Sequence, residues 1–446
     1  MKRIRLAFTS KFFLDVFKLA LPGALSISVS NIHNFIATIM IGQLGEKSAH
    51  YLAAMGLGLL ITLTITSSAN SFGSGVQAFV SRAWGAKNYI EVSAYLKAGI
   101  FSGTIFGLIS SILGFIFAAY VFPYLSPDPD VVRVGVPFLK IRFIGIFPTV
   151  LTMVLRGFFD GIGQPKEHFK FNTSSSAFCI VLSYILIFGE FGLPRMELSG
   201  FALASTLSGF FAFIHGLYLI RKYVKLSLKY EISFPHLIRN FKVAIPASVS
   251  AFLATFSFLV FLWFTGYSGT EHQAATFVLV NIISLMFLPC MAIGIAVASL
   301  AGRSIGGKDL FSAKKYFDDT VTVNILFFLL LGIIFFIFPH GIMAVFSKDR
   351  SVIIEGAHAL RVFAPFLVFV AVSVIMLQSL VNLGDTKFVM IAEGILHFGF
   401  LIPTVLIFEV VLKKGTQAAW GCVSVYFVIL FIVLFKRYRS DKWIHI

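Results

Sequence analysis

The chain contains a series of runs of about 20 predominantly apolar residues, separated by short polar and basic segments. A run of this length matches an α-helix that crosses the hydrocarbon core of a bilayer. Helices are required because backbone polar groups in hydrocarbon must bond within their own segment, and the ten-residue alternation of a membrane β-barrel is not present. The sequence therefore predicts an all-α polytopic membrane protein with about 12 transmembrane helices. The predicted spans cover roughly residues 18–41, 51–80, 98–122, 138–158, 170–190, 198–220, 241–266, 273–301, 318–340, 358–382, 388–411 and 416–435.

The composition excludes a water-soluble fold. Hydrophobic residues make up 58% of the chain and charged residues 13%, whereas a soluble chain carries about 25% charged residues. The net charge of +16 arises from short basic clusters between apolar runs, which do not form a nucleic-acid-binding face. The cysteines Cys179, Cys290 and Cys422 lie singly inside apolar runs, so neither a disulfide nor a metal site is predicted.

The distribution of Lys and Arg predicts the topology. Basic residues are more frequent in loops on the side of the N-terminus, and the basic segment 221–242 and the tail from Lys436 fall on that same side. Both termini are therefore predicted to be cytoplasmic, and the number of spans even. We expect a multi-pass protein of the cell inner membrane or plasma membrane.

Three motifs occur twice, with an offset of 221 to 224 residues between copies. The pairs are Pro22 with Pro246, Arg82 and Gly85 with Arg303 and Gly306, and Gly163 with Gly384. Six helices in each half give both halves the same orientation, a parallel repeat that suits alternating access around a central cavity. The expected domains are an N-terminal lobe of residues 1–225, a cytoplasmic basic linker of residues 226–240, and a C-terminal lobe of residues 241–446.

These motifs resemble the multidrug and toxic compound extrusion (MATE) family, and more closely its DinF-like branch. The similarity covers nearly the whole chain and includes the Ile41–Gly42 motif that closes the first span and the segment Arg156–Gly163. The resemblance implies a V-shaped pair of six-helix bundles. It also implies an antiporter that exports organic cations or other amphipathic small molecules in exchange for H⁺ or Na⁺.

Two other functions remain open at this point. A flippase for lipid-linked saccharides, from a related superfamily, would share the repeated helical plan, and a membrane scaffold or sensor is a non-transport alternative. No nucleotide-binding or metalloprotease motif is present, so the sequence does not predict an enzyme or an ATP-driven pump. We expect a monomer that works on a small-molecule substrate in the lipid bilayer without a cofactor.

The coupling residues expected from the resemblance are partly replaced. In many family members the first helix carries an aspartate that binds the coupling ion, and the register with Pro22 places Ala37 there. The fifth helix tends to hold Asn or Asp in those members, where this chain has Ser176 and Ser183. The N-terminal lobe thus lacks the usual ionisable group.

Glu393 and His397 are the main candidates for the coupling ion. They are four residues apart in the eleventh span and so share one helix face. An acid at membrane depth costs about 2.5 to 3.5 kcal/mol and commonly marks an ion path. The alternative is that Glu393 lies near the cytoplasmic headgroups, where it pairs with Lys387 or simply snorkels to the interface. His33, in the first span, is a third candidate because histidine titrates near neutral pH.

Several polar or aromatic side chains could line a substrate cavity. The candidates are Asn31, Asn34, Thr66, Asn70, Trp263 and Asn281. Hydrogen bonding between helices is the alternative role for the polar ones, and packing against lipid or other helices for Trp263.

The remaining charged positions are assigned to helix ends. Arg82 and Arg303 are expected to cap equivalent cytoplasmic helix ends. Arg142 and Arg361 lie near the starts of predicted spans, where snorkelling to the interface explains them. Asp160 lies beside a Gly-rich turn.

Overall fold

The computed structural model describes residues 10–45, 48–224 and 234–445. Within those residues, 12 helical spans are long and apolar enough to cross a membrane. This confirms the all-α class and the predicted number of spans.

The first six spans are single long helices. They are α1 (Lys11–Gly42), α2 (Ser48–Gly85), α3 (Tyr89–Leu125), α4 (Pro129–Gly161), α5 (Pro165–Phe188) and α6 (Glu197–Ile220).

The last six spans are less regular, because several are assembled from more than one helical piece. The α-helices of this half are α7 (Phe234–Thr265), α8 (Thr270–Gly306), α9 (Leu310–Ile337), α10 (Pro339–Phe346), α11 (Arg350–Phe363), α12 (Leu367–Leu383), α13 (Thr386–Leu396), α14 (Ile402–Val405) and α15 (Thr416–Arg439). Helices α11 and α12 join through a 3₁₀ turn to make the tenth span, and α10 is too short to cross a membrane.

The chain divides into two compact units. One comprises residues 22–248, and the other residues 249–446 together with 1–21. The boundaries fall inside α1 and α7, close to Pro22 and Pro246. Proline lacks the N–H that an interior helical hydrogen bond needs, so each helix is weakened near the point where it changes unit. Of the predicted linker, residues 226–233 lie outside the described residues, and residues 234–240 belong to the first turns of α7.

Helices α2 and α4 pack most closely where two glycines meet. A Cβ built on Gly157 would lie 2.0 Å from the carbonyl oxygen of Gly73, and one built on Gly73 would lie 2.4 Å from the carbonyl oxygen of Met153. Both distances are far inside van der Waals contact, so only glycine fits at this crossing. Small residues at helix interfaces allow this approach of two backbones inside a membrane.

The second pair of repeated motifs forms the same turn in both units. Arg82 and Arg303 lie in the last turns of α2 and α8, and each accepts a hydrogen bond at its carbonyl from the residue four positions later, at 2.9 Å. Lys87 and Lys308 then adopt left-handed backbone conformations, with φ of 56° and 62°. Such φ values are uncommon for a residue with a side chain, so their recurrence shows that the sequence repeat is also a structural repeat.

The helix that follows each turn begins with a side-chain cap. Asn88 Oδ1 accepts a hydrogen bond of 3.2 Å from the backbone N–H of Glu91, at the start of α3. Asp309 Oδ1 accepts one of 3.0 Å from Ser312 at the start of α9. These caps satisfy N–H groups that have no partner within the helix.

The glycines of the third repeated motif also have equivalent conformations. Gly163 follows α4 with φ of 71°, and Gly384 follows α12 with φ of 98°. In the left-handed region glycine has no steric penalty, which explains why a glycine follows both helices, directly after α12 and two residues after the last residue of α4.

The eleventh span departs from regular α-helix at two places. It passes from α13 into π-helix over His397–Leu401, then through α14 into a second π-helical segment over Leu406–Val411. π-Helical segments within α-helices occur frequently at functional sites. The first of them begins at His397, one of the predicted coupling residues.

Candidate functional site

The unit of residues 22–248 contains a cavity with a volume of about 430 Å³. Helices α1, α2, α4, α5 and α6 supply its walls. The lining residues are Ser26, Ile27, His33, Asn34, Thr62, Leu63, Thr66, Arg142, Gly145, Ile146, Thr149, Thr152, Met153, Arg156, His168, Phe171, Asn172, Ser175, Ser176, Cys179, Ser205, Ser208, Gly209 and Ala212. The volume is in the range of small-molecule sites, and the lining mixes polar and apolar groups.

Arg142 lines this cavity, so its assignment to the membrane interface is wrong. Helix α4 begins at Pro129, well before the apolar run that was used to place the span, and Arg142 is therefore about 20 Å along the helix. Its Nη1 donates a hydrogen bond to Ser205 Oγ on α6. Its Nε has no hydrogen-bond partner among the described residues.

A second arginine reaches the cavity from the same helix. Arg156 Nε lies 3.5 Å from Asp160 Oδ2, one turn further along α4. His168 Nδ1, on α5, lies 3.0 Å from the other carboxylate oxygen of Asp160. Asp160 is buried and does not itself line the cavity. Its carboxylate therefore compensates the charge of Arg156, while Arg142 has no carboxylate within 4.0 Å among the described residues.

Three of the sequence-predicted residues meet in this cavity. His33 and Asn34 contribute from α1 and Thr66 from α2. The His33 Nδ1 atom lies 3.4 Å from Ser176 Oγ on α5. Thr66 Oγ1 donates a hydrogen bond of 2.9 Å to the carbonyl oxygen of Thr62 in its own helix.

The other predicted cavity residues lie elsewhere. Asn70 does not line this cavity, and the side chain of Asn31 is outside the described part of the structure. In the other unit, Trp263 is 59% exposed and its ring contacts the ring of Tyr267. Asn281 is exposed and donates a hydrogen bond of 2.8 Å to a carbonyl oxygen of its own helix.

The position of the usual first-helix aspartate is apolar in this chain. Ala37 is 1% exposed and belongs to a hydrophobic cluster that also contains Ile41, Met55 and Ile146. Ala37 itself is not among the residues that line the cavity, and its methyl group cannot bind an ion.

Glu393 and His397 form a buried polar group in the other unit. Glu393 is 6% exposed and His397 is 7% exposed. The hydroxyl of Ser250, on α7, donates a hydrogen bond to Glu393 Oε2. Tyr426, on α15, has its hydroxyl 3.1 Å from His397 Nε2. Glu393 forms no ion pair with a described residue, so the predicted alternative of a salt bridge to Lys387 is not found.

Glu409 is a buried carboxylate that sequence reasoning missed. It is fully buried in the second π-helical segment, and Ser268 donates a hydrogen bond of 2.5 Å to its Oε2. Its Oε1 has no hydrogen-bond partner among the described residues. The sequence signal that could have identified Glu409 is its position as an acid inside the eleventh apolar run, residues 388–411.

Comparison with known proteins identifies the family. The family described as MatE matches residues 22–185 and 246–407, which together cover most of the chain and fall on its two halves. The chain belongs to the MatE family. It is thus a multi-pass membrane transporter and not an enzyme.

Curated relatives of this MATE transporter include proteins described as probable multidrug resistance protein NorM. The relative from Oceanobacillus iheyensis is 26% identical over 365 residues, which are 80% of this chain and 81% of the relative. The relative from Thermotoga maritima is 23% identical over 432 residues, 96% of this chain and 92% of the relative.

Solved structures agree with the fold of the MATE transporter. A transporter of the MOP superfamily from Pyrococcus furiosus has a TM-score of 0.85 at 19% identity, covering 99% of this chain and 98% of that chain. A crystal structure described as MATE in the bent conformation has a TM-score of 0.88 at the same identity, covering 99% and 97%. These matches show that the MATE fold extends over the whole chain.

Proposed function

We propose that this MATE transporter is a secondary active antiporter of the DinF-like branch, driven by an ion gradient. It exports amphipathic small molecules by alternating access. The observation that carries the proposal is Glu393, a carboxylate buried at membrane depth without an ion-pair partner among the described residues. Such a group is costly, and it is retained in membrane proteins where it serves an ion path.

The residues around Glu393 have distinct roles in this proposal. Glu393 takes up and releases the coupling ion, and Ser250 orients the carboxylate through its hydrogen bond. His397, which shares the helix face with Glu393 and contacts Tyr426, assists the transfer. In the cavity of the other unit, His33 is a second titratable group.

The coupling ion that we propose is H⁺. Hard metal cations are held by several oxygen ligands, whereas Ser250 is the only side chain that the described structure places in hydrogen-bond contact with the Glu393 carboxylate. One elementary charge moved across 100 mV supplies about 2.3 kcal/mol, which supports export against a gradient of roughly 50-fold. Na⁺ remains the alternative that the transport experiment tests.

In this proposal the transporter is a monomer in the cell inner membrane or plasma membrane, and both of its termini are cytoplasmic. The positions of the basic residues support this orientation. Lys436, Arg437 and Arg439 lie in the last turn of α15, and Arg221 and Lys222 directly follow α6. Such basic clusters favour the cytoplasmic side of a membrane.

A lipid-linked diphosphate flippase is the weaker alternative. Recognition of a diphosphate would require several uncompensated cations in the cavity. Arg156 is paired with Asp160, so Arg142 is the one lining guanidinium without a nearby carboxylate among the described residues. The cavity therefore fits a small molecule better than a diphosphate headgroup.

Transport by purified protein in proteoliposomes tests the proposal. We would impose a pH gradient or a Na⁺ gradient separately and follow a panel of fluorescent amphipathic molecules, with wild type, Glu393→Gln and the control Glu271→Gln. Glu271 is an exposed acid in the first turn of α8 in the same unit. A pH gradient is expected to drive transport in wild type and Glu271→Gln, while Glu393→Gln binds the molecules but does not respond to the gradient.

Several outcomes would contradict the proposal. If only the Na⁺ gradient drives transport, the coupling ion is Na⁺ and not H⁺. Full gradient-driven transport by Glu393→Gln would remove Glu393 from the mechanism. Transport that required ATP and survived proton and sodium ionophores would exclude an antiporter.

A further inference from the structure

The cavity of residues 22–248 has a lining that is basic and contains no acid. Two arginines and two histidines face it, and no Asp or Glu is among the lining residues that the structure describes. A cavity that binds a cation by electrostatics needs carboxylates or an equivalent aromatic enclosure. Here Phe171 is the only aromatic residue in the described lining. The charges of the cavity therefore disfavour an organic cation.

Arg142 provides the charge that remains uncompensated. Arg156 already has a carboxylate 3.5 Å away, whereas Arg142 has a serine hydroxyl as its hydrogen-bond acceptor. The guanidinium has five N–H donors in a planar fork, and its buried Nε has no hydrogen-bond partner in the part of the chain that the structure describes. Arg142 thus lines the cavity with a charge that no described carboxylate neutralises, and a guanidinium is the group that binds carboxylates in two places.

Arg142 lies inside a membrane-spanning helix, where an arginine charge is unfavourable unless a partner or a ligand neutralises it. An arginine in the middle of a membrane-spanning helix is unfavourable, because hydrocarbon does not solvate its charge. Such residues face a cavity or a partner, and Arg142 faces the cavity. Ser205 accepts a hydrogen bond from Nη1, and the guanidinium carbon lies 6.0 Å from the centroid of the Phe201 ring, but no carboxylate among the described residues neutralises the charge.

The rest of the wall limits the kind of anion. Ile27, Leu63, Met153 and Phe171 give the cavity an apolar part, which favours a ligand with an apolar body. A single uncompensated guanidinium matches a single negative charge. We propose that the cavity binds amphipathic organic anions, with one carboxylate or sulfonate paired with Arg142. This inference deepens the proposed function, because it names the substrate class of the same transporter.

Equilibrium binding tests the inference without any gradient. The probes are fluorescein, an anion near neutral pH, and rhodamine 6G, a cation built on the same xanthene ring. Wild type in nanodiscs of neutral phosphatidylcholine is expected to bind fluorescein in preference to rhodamine 6G, as measured by fluorescence anisotropy. Arg142→Gln should bind fluorescein at least about tenfold more weakly than wild type, because it loses a charged hydrogen-bond donor. Its affinity for rhodamine 6G should not fall.

Two control variants separate charge from folding. Arg133 is on the same helix as Arg142, and its side chain is 70% exposed. The Arg133→Gln variant should bind fluorescein as wild type does. Arg142→Lys keeps the charge and should retain most of the affinity. If Arg142→Gln does not fold, Ser205→Ala takes its place, since it removes the hydroxyl that holds the guanidinium and should weaken fluorescein binding severalfold.

The outcomes for the anion site and for antiport are distinguishable. Preference of wild type for rhodamine 6G, or equal fluorescein affinity in wild type and Arg142→Gln, would overturn the anion site even if ion-driven transport is found. Conversely, fluorescein binding that depends on Arg142 supports the site even if no gradient drives transport. Adding anionic phosphatidylglycerol to the nanodiscs identifies the source of the anion. Displacement of fluorescein points to a lipid headgroup, and persistence of binding points to a soluble anion.

Discussion

Ser250 donates a hydrogen bond to the carboxylate of Glu393, and it links α7 to α13 at the most deeply buried part of the predicted coupling site. The two residues are 143 positions apart in sequence. Because the hydroxyl is the one side-chain partner that the described structure gives this carboxylate, we expect it to position the proposed coupling group.

Removal of this hydroxyl should impair coupling without removing the acid. We expect Ser250→Ala to fold and to export about tenfold or more slowly under a pH gradient, because a hydrogen bond to a charged group contributes about 1.5 to 3 kcal/mol. The measurement is the initial rate in proteoliposomes over a range of pH. Ser257→Ala is the matched control, since Ser257 is a buried serine of the same helix whose hydroxyl has no hydrogen-bond partner among the described residues. Equal rates in the two variants would count against the role of Ser250.

Restoring the usual first-helix acid should damage the protein. Ala37 is 1% exposed in an apolar cluster, so Ala37→Asp would bury a carboxyl group at a cost of about 2.5 to 3.5 kcal/mol. We expect a lower melting temperature in detergent and no additional ion coupling. Ala37→Ser, which adds a polar group without an ionisable proton, should be affected much less. A stable Ala37→Asp protein with a second coupled proton would show that position 37 accommodates an ionisable coupling group.

The crossing of α2 and α4 should not tolerate a methyl group. A Cβ at position 157 would lie 2.0 Å from the carbonyl oxygen of Gly73, so Gly157→Ala must push two backbones apart. We expect destabilisation of about 1 to 3 kcal/mol or failure to fold. Gly56→Ala is the control on α2, because a Cβ there would have no atom within 4 Å. It should be neutral or stabilising by up to about 1 kcal/mol. The thermal unfolding temperatures of both variants, compared with that of wild type, measure these changes in stability.

The two equivalent helix caps should respond differently to acid. The hydrogen bonds that Asp309 accepts from Ser312 hold the pKa of its carboxyl below its usual range. A group with a lowered pKa in the folded state stabilises the fold above its unfolded pKa, and this contribution is lost as the pH falls through the folded value. The first turn of α9 should therefore lose protection at acid pH in wild type and lose less in Asp309→Asn, whose cap does not titrate, as Asn88 does not at the start of α3. Amide hydrogen exchange of this turn in the two proteins measures the difference; the first turn of α3 is not the reference, because its Glu91 pairs with His236. An equal response in wild type and Asp309→Asn would contradict the expectation.

Much of the fold was predictable because the membrane imposes local rules. Runs of apolar residues gave the 12 spans, and the repeated motifs around Arg82 and Arg303 predicted corresponding helix ends that the structure shows as the same turn. A repeated motif preserves local backbone geometry, since the left-handed residues Lys87 and Lys308 depend on their immediate neighbours.

The cavity was less predictable for two physical reasons. Helices extend beyond the apolar runs that reveal them, which is why Arg142 was placed at the interface when it lies well inside α4. The partners of buried polar groups also come from distant parts of the chain, as Ser205 does for Arg142, 63 residues later. Such contacts leave no periodicity or spacing in the sequence. The burial of Glu393 was predictable from its place in an apolar run, but its partner Ser250 was not.

The basic lining of the cavity has an electrical consequence. Exchange of a monovalent cation for one proton moves no net charge, so only the concentration gradients act on it. If a monoanion leaves the cell while one proton enters, two elementary charges move in the favourable direction in each cycle. At a membrane potential of 100 mV, negative inside, this adds about 4.6 kcal/mol to the driving force. Cells would then retain export from the cavity around Arg142 when the pH gradient has collapsed, and the transporter would generate a measurable inward current.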